Sequence, residues 1–196
     1  MPATQIEVML KVIEALEELN TPYLIGGSFA SSAHGIARAT MDVDILASIP
    51  AKQASAFAAK LEPEFYADEQ AIRNAIMAKR SFNVIHLDTG FKVDVFVSKR
   101  DLFDVKQLER RKLRIVTRDP ERSVYVASPE DTILSKLRWY RLTNEESERQ
   151  WNDVLGVMTV KADDLDLEYL RRWAGELEVL DLLERALSQS RGELSE

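Results

Sequence analysis

The spacing of apolar residues predicts alternating helices and strands in the first part of the chain. Apolar side chains recur every three or four positions over 5–19, which is typical of an amphipathic helix. Pro22 lies in the break that follows, and YLIGG then predicts a short buried strand that runs into a glycine turn. The segment SFASSAHGI predicts a second, short helix with Ser28 near its first turn.

A two-residue alternation marks the segment MDVDILASI. Val43 and Ile45 alternate with Asp42 and Asp44, which is typical of a strand with one buried face. Because successive side chains of a strand point to opposite faces, both aspartates are expected on the same face. The segment therefore predicts a strand that presents two neighbouring carboxylates.

Further strands and helices are predicted up to residue 128. The segment SFNVIHLDTGFKVDVFVS predicts a hairpin that turns near 88–90, and its second strand carries Asp94. The other elements predicted here are helices at 51–61 and 68–79 and strands at KLRIVTR and SVYVAS.

Strand signals stop at Ser128. SPEDTILSKLRWYRL begins with a Ser-Pro helix start and acidic residues, and helical spacing returns in 147–160, 165–177 and 180–187. We therefore predict an α+β protein with two parts. A small mixed sheet flanked by helices forms a core over 1–127, and a helical C-terminal region over 128–196 closes the cleft.

Composition narrows the class of protein. The chain has 196 residues, of which 45% are hydrophobic and 30% charged, and it has no Cys, which excludes disulfides, thiolate zinc sites and Cys nucleophiles. No secretory leader and no run of about 18 apolar residues is present. These features predict a cytoplasmic protein that does not enter a membrane.

The net charge of −7 is not evenly distributed. Basic residues cluster over 99–118, which indicates either a solvated face or a local surface that favours RNA. The acidic total favours the first of these two interpretations.

The glycine turn has the composition of a phosphate-binding turn. Gly26 and Gly27 carry no side chain that would block a polyphosphate, and the helix that follows offers free backbone N–H groups and the positive end of its dipole. Ser28 adds a hydroxyl donor.

Three aspartates have the chemistry of a metal site. Asp42 and Asp44 share a strand face, and Asp94 lies on a later strand that is expected to be a neighbour. Carboxylate oxygens suit Mg²⁺ or Mn²⁺ better than softer metals. Ions held there would stabilise the entering and leaving oxygens of an in-line displacement at phosphorus.

The order of these motifs resembles that of the DNA polymerase beta-like nucleotidyltransferase superfamily. The likeness lies in GGSFASSAHGIARATMDVDILA, which begins at Gly26, and in FKVDVFV, which contains Asp94. The resemblance implies a nucleotidyltransferase fold, nucleotide binding at Gly26, Gly27 and Ser28, and metal binding at the three aspartates.

Within that superfamily the chain resembles small bacterial nucleotidyltransferase-like toxins of abortive-infection and toxin-antitoxin systems. GIARATMDVDI, SPEDTILSKLRWY and QWNDVLGV carry this likeness. It implies that Lys136 contacts the triphosphate and that Asp153 orients Lys136. Arg38 and Thr40 approach the Asp pair through a short loop, where they either contact phosphate or make the loop rigid.

Two other sets of residues have alternative interpretations. His34 either has a direct role, by binding substrate or acting as a base, or packs beneath the loop, and with two histidines in the chain a histidine metal centre is not expected. Four aromatic residues at helical spacing are predicted to be core residues rather than a base-stacking platform: Trp139, Tyr140, Trp151 and Trp173.

The expected reaction is transfer of a nucleoside monophosphate from an NTP such as ATP to a hydroxyl of RNA, protein or a small molecule, with release of pyrophosphate. The alternative is a non-catalytic nucleotide-binding or partner-binding module on the same fold. The likeness to toxins further implies an antitoxin protein as a partner.

Overall fold

The computed structural model describes residues 3–37 and 42–193, which contain one mixed seven-stranded sheet and nine α-helices. The strands are β1 (Tyr23–Ile25), β2 (Asp42–Ala47), β3 (Phe65–Tyr66), β4 (Ser81–His86), β5 (Lys92–Val97), β6 (Lys112–Arg118) and β7 (Glu121–Val126). The helices are α1 (Gln5–Glu18), α2 (Gly27–His34), α3 (Ala54–Leu61), α4 (Glu69–Ala78), α5 (Leu102–Arg110), α6 (Pro129–Leu142), α7 (Glu148–Lys161), α8 (Leu167–Glu176) and α9 (Leu180–Glu193). No helix in these ranges is both long enough and apolar enough to span a bilayer.

The described chain divides into two compact units. The first comprises 3–26 and 42–126 and contains the whole sheet, whereas the second comprises 27–37 and 127–193 and its regular elements are helices. The predicted α+β class, with a mixed sheet flanked by helices and a helical C-terminal region, is confirmed. Residues 27–37, which precede the predicted boundary at 127, group with the helical unit.

The strand order places β2 at the middle of the sheet. The order is β3-β4-β5-β2-β1-β7-β6, with β2 parallel to β5 and antiparallel to β1. Val43 and Ile45 are buried on one face of β2, while Asp42 and Asp44 are on the other, more accessible face. The predicted alternation is therefore observed, because apolar and polar residues alternate with the period of the pleat.

Helix packing encloses the core of the sheet unit. α1 begins with a capping box in which Thr4 and Glu7 satisfy each other's backbone N–H groups, and its buried face packs on α3. The largest fully buried side chains of this unit include Leu16, Phe57, Leu61 and Ile72. These side chains form part of the apolar core of the sheet unit.

The helical unit is built around α6. Ser128 caps this helix, its hydroxyl accepts a hydrogen bond from the N–H of Asp131, and Pro129 occupies the first turn. α2 packs on both α6 and α7, and α9 also packs on both. The Ser-Pro helix start predicted from the sequence is confirmed.

Three elements differ from the sequence prediction. α5 lies inside the basic stretch at 99–118, where Phe103 and Leu108 supply a short buried stripe that the charged residues obscure. β3 has two residues, too few for a periodic signal. α9 continues past the predicted end at Leu187 to Glu193.

Candidate active site

The face of β2 opposite the core presents Asp42 and Asp44 together. Asp42 is exposed and Asp44 half-buried, whereas Val43 between them is 1% exposed. The carbonyl of Asp44 accepts a hydrogen bond from the N–H of Gly26 at 2.8 Å, which ties the glycine turn to this strand. Within the sheet unit, the first glycine of the turn is therefore hydrogen-bonded to the strand that carries the aspartate pair.

β5 brings Asp94 beside this pair. The parallel register places the Cα atom of Asp94 opposite that of Asp44, and the burial pattern shows Val93 and Val95 on the core face. Asp94 therefore lies on the same face as the two aspartates of β2. On the other side of β5, Asn83 of β4 is opposite Asp94, so that an amide and two carboxylates follow one another across three strands.

Sequence reasoning missed Lys92 at this face. The register places Lys92 opposite Asp42, and its Nζ atom lies 2.8 Å from Oδ2 of Asp94. The hydrogen bond to Asp94 raises the pKa of Lys92 above its usual range, and the charges of Asp94, Asp42 and Asp44 act in the same direction. Lys92 lies two residues before Asp94 in the predicted strand, and side chains two residues apart in a strand share a face. This spacing could have predicted that Lys92 lies beside Asp94.

The three aspartates fit a hard divalent cation by donor chemistry and register. Carboxylate oxygens from two adjacent strands share one face, and the ammonium of Lys92 is already in contact with one of these carboxylates, that of Asp94. In the conformation described for 3–37 and 42–193, no three His, Asp or Glu side chains are arranged to hold a metal ion. Asp42, Asp44 and Asp94 remain the predicted ligands of Mg²⁺ or Mn²⁺.

Gly27, the second glycine of the turn, is the first residue of α2. Gly27 has φ of +55°, a left-handed conformation that a residue with Cβ adopts only with strain, which explains the glycine. The hydroxyl of Ser28 is buried and accepts a hydrogen bond from Nη2 of Arg149 at 2.7 Å. Arg149 lies in the first turn of α7 and is exposed, and its proximity to Ser28 was not predicted from the sequence.

Lys136 and Asp153 form an ion pair inside the helical unit. Nζ of Lys136 lies 2.7 Å from Oδ2 of Asp153, and the two side chains are 6% and 7% exposed. The structure thus brings together the two residues that the resemblance to toxins associates with each other. Their expected role in binding the triphosphate stays a prediction.

His34 is at the end of α2 and is fully buried. Its Nε2 atom donates a hydrogen bond to the carbonyl of Ala127 at 2.7 Å, because a carbonyl oxygen only accepts. This contact ties α2 to the segment that leads into α6. Of the two roles considered for His34, the packing role is the one that this geometry supports.

The aromatic residues of the helical unit do not all behave as predicted. Tyr140, Trp151 and Trp173 are buried, as expected of core residues. Trp139 is 48% exposed, so its assignment to the core was wrong. Trp139 lies on α6 outside the buried stripe of that helix.

The other predicted features are the loop residues Arg38 and Thr40 and the basic stretch at 99–118. Arg38 and Thr40 lie outside the described residues. The basic stretch at 99–118 forms α5 and the edge strand β6, where Lys112, Arg114 and Arg118 are exposed. Both a solvated face and an RNA-binding surface are compatible with this placement.

No protein-family model and no curated protein matches this chain. Solved structures do match its fold. The structure of ANT(2″)-Ia in complex with adenylyl-2″-tobramycin gives a TM-score of 0.52 at 15% identity, over 90% of this chain and 98% of that one. The solution structure of the antibiotic-resistance factor ANT(2″)-Ia gives 0.48 at 16% identity, over 100% and 98%. Lincomycin-bound LnuA, a lincosamide antibiotic adenylyltransferase, gives 0.48 at 12% identity, over 82% and 99%. The likeness to the complex with adenylyl-2″-tobramycin shows that the chain has a nucleotidyltransferase fold.

Proposed function

We propose that this chain is a Mg²⁺-dependent nucleotidyltransferase that transfers a nucleoside monophosphate from an NTP to a hydroxyl acceptor. The in-register placement of Asp94 beside Asp44, with Asp42 on the same face, carries the proposal. A purely structural strand would gain nothing from three carboxylates on one face, because neighbouring like charges destabilise a sheet.

The proposed reaction forms one bond and breaks one. The acceptor oxygen bonds to the α-phosphorus as the bond from that phosphorus to the α–β bridging oxygen breaks, and pyrophosphate leaves. The hydroxyl proton passes to the carboxylate of Asp94, which is the aspartate that we place beside the acceptor. Mg²⁺, when bound, would supply the positive charge that offsets the triphosphate and the developing negative charge.

The second part of the proposal concerns the triphosphate. The N-terminal turn of α2 at Gly27 and Ser28 offers backbone N–H groups to an anion. Arg149 is exposed and already donates to Ser28, so a phosphate oxygen could take up the same guanidinium donors. Lys136 belongs to the same unit as Ser28, and we propose that Asp153, with which it is paired, orients its ammonium toward the triphosphate.

The first test is calorimetric titration of each of the four NTPs, with Mg²⁺, into three proteins. We expect one NTP to bind the wild type and the Asp119→Asn control, which removes an exposed carboxylate at the β6–β7 turn. Asp42→Asn/Asp44→Asn keeps side-chain size but removes two charges, so we expect binding to weaken more than about tenfold. Equal binding by the double variant would overturn the metal assignment.

A pyrophosphate-release assay with the bound NTP and a panel of hydroxyl acceptors separates the transferase from the alternative of a non-catalytic module. Release by the wild type and its loss in Asp94→Asn are the results expected of a transferase. Tight NTP binding by the wild type, with no release for RNA, protein or small-molecule acceptors, would favour the binding module instead.

The toxin role forms a separate part of the proposal and is supported by the likeness of GIARATMDVDI and SPEDTILSKLRWY to toxin sequences. We expect growth arrest when the chain is expressed in bacteria, and we expect Asp44→Asn to relieve it. Normal growth at a verified level of soluble wild-type protein would contradict a toxin role. Copurification of a small partner protein encoded beside the chain would identify the antitoxin.

A further inference from the structure

The proposed metal site contains a cation that belongs to the chain itself. Lys92 is the first residue of β5, its Cα atom is opposite that of Asp42, and its Nζ atom lies 2.8 Å from Oδ2 of Asp94. Side chains directly opposite each other on one sheet face interact most strongly. The ammonium of Lys92 thus faces one aspartate across the strands and contacts another along its own strand.

This ammonium offsets a local excess of negative charge. Asp42, Asp44 and Asp94 share one face of two neighbouring strands, so their carboxylates repel one another in the metal-free protein. A lysine ammonium is a compact point charge that reduces this repulsion. The side chains of Lys92 and Asp94 are 39% and 21% exposed, so their attraction is only partly screened by solvent.

The same contact conflicts with metal binding. Mg²⁺ binds carboxylate oxygens at about 2.0–2.1 Å, much closer than an ammonium nitrogen. Two cations against one carboxylate repel each other, so a divalent ion at Asp94 binds less tightly while Lys92 stays in contact with Oδ2 of that residue. The lysine side chain is long, flexible and partly exposed, so it can turn into solvent without disturbing the backbone of β5.

We propose that Lys92 is a tethered counter-ion of the acidic site: it stabilises the metal-free form through Asp94 and competes with the divalent ion for the carboxylates. It thereby sets the concentration of metal at which the site fills. The competition with a metal ion rests on the proposed function, because only that function requires a metal at this site. The stabilisation of the metal-free form does not depend on the proposed function.

The first experiment measures the thermal midpoint of the metal-free protein, in excess chelator, for Lys92→Met and for the control Lys112→Met. Lys112 is also the first residue of a strand, and it is exposed at the edge of the sheet. We expect Lys92→Met to lower the midpoint and Lys112→Met to leave it nearly unchanged. Lys92→Arg should keep most of the wild-type midpoint, and Lys92→Met/Asp94→Asn should recover part of the loss.

The second experiment measures binding of Mn²⁺ alone, by titration followed by electron paramagnetic resonance. We expect Lys92→Met to bind Mn²⁺ about tenfold tighter than the wild type, because the competing cation is gone. Lys112→Met should bind like the wild type. The rise in thermal midpoint on adding Mn²⁺ should be larger for Lys92→Met than for the wild type.

Equal or weaker Mn²⁺ binding by Lys92→Met, or a metal-free midpoint equal to that of the wild type, would overturn the proposal. The failures of the two proposals can be told apart. Tighter Mn²⁺ binding by Lys92→Met without NTP binding or pyrophosphate release would refute the transferase and leave the role of Lys92 standing. The opposite result is also possible: NTP binding and pyrophosphate release depend on Asp94, but Lys92→Met leaves the Mn²⁺ affinity unchanged. That result would support the transferase and refute the role of Lys92.

Discussion

At the scale of single residues, the helical unit contains a buried ion pair between Lys136 and Asp153. Both side chains are almost fully buried, with the charged atoms 2.7 Å apart. Burying an ion is costly, and the attraction between the partners offsets that cost only while both are present. Loss of one partner therefore leaves a charge in a poor environment.

We predict that Lys136→Met and Asp153→Leu, made singly, each lower the free energy of unfolding by about 3–5 kcal/mol. The double variant should lose much less than the sum, because no unpaired charge remains. Urea unfolding followed by circular dichroism measures these differences. Lys106→Met, which breaks the exposed pair with Glu109, serves as the control and should cost under about 1 kcal/mol.

A loss below about 1 kcal/mol in both single variants would show that the pair contributes little to folding. In that case a role for Lys136 toward phosphate would gain support, provided that the same variants weakened NTP binding.

At the scale of elements, the approach of α2 to α7 depends on Gly35. A Cβ atom at this position would lie 2.7 Å from the backbone N of Val157 and 2.8 Å from the backbone C of Gly156. Backbone atoms cannot yield as the end of a flexible side chain can. Close packing within the helical unit therefore explains the glycine at position 35 of the GIARAT segment, whether or not this residue contacts a substrate.

We predict that Gly35→Ala lowers the free energy of unfolding by about 1–3 kcal/mol, because the two segments must move apart. Gly175→Ala is the matched control, since Gly175 is an exposed helical residue with open space around its Cβ position. Alanine there should stabilise the protein by about 0.5–1 kcal/mol through helix propensity. Denaturant unfolding of both variants would test this contrast, and equal effects would contradict it.

At the scale of the whole molecule, three surface carboxyl groups have pKa values below their usual range. Hydrogen bonds with Arg141 lower the pKa of Asp181. The pKa of Glu69 is lowered mainly by a hydrogen bond from the hydroxyl of Ser55 and, second, by one from Arg73. A hydrogen bond from the backbone of Thr4 lowers the pKa of Glu7. A carboxyl group whose pKa is lower in the folded chain than in the unfolded chain stabilises the fold above its unfolded pKa. That contribution is lost as the pH falls through the folded pKa.

We therefore predict a nearly constant thermal midpoint from about pH 7 to pH 5 and a fall below about pH 4, where these groups take up protons. Thermal unfolding followed by circular dichroism, in metal-free buffers of equal ionic strength, measures the effect. Asp181→Asn should make the fall slightly shallower, by a small amount because this pair is exposed and screened. A midpoint that stayed constant down to pH 3 would contradict the prediction.

Local patterns in the sequence were sufficient to predict the strand that carries Asp42 and Asp44 and the helix that begins after Ser128. The face shared by Asp42 and Asp44 follows from a period of two residues, and the helix start at Ser128 follows from the chemistry of its first turn. α5 was missed because its buried stripe is short and lies within a charged stretch.

What only the tertiary structure decided is which strands became neighbours and in which register. β2 and β5 are far apart in sequence, and their parallel pairing sets Asp94 beside Asp44 and Lys92 opposite Asp42. The contact of Arg149 with Ser28 and the exposure of Trp139 likewise depend on how helices pack. By itself the sequence determined the α+β class and the strand face shared by Asp42 and Asp44, the residues that we propose bind a metal ion, because periodicity and donor chemistry are local. The counter-ion at that site came from the fold, because strand register is decided by contacts between distant segments.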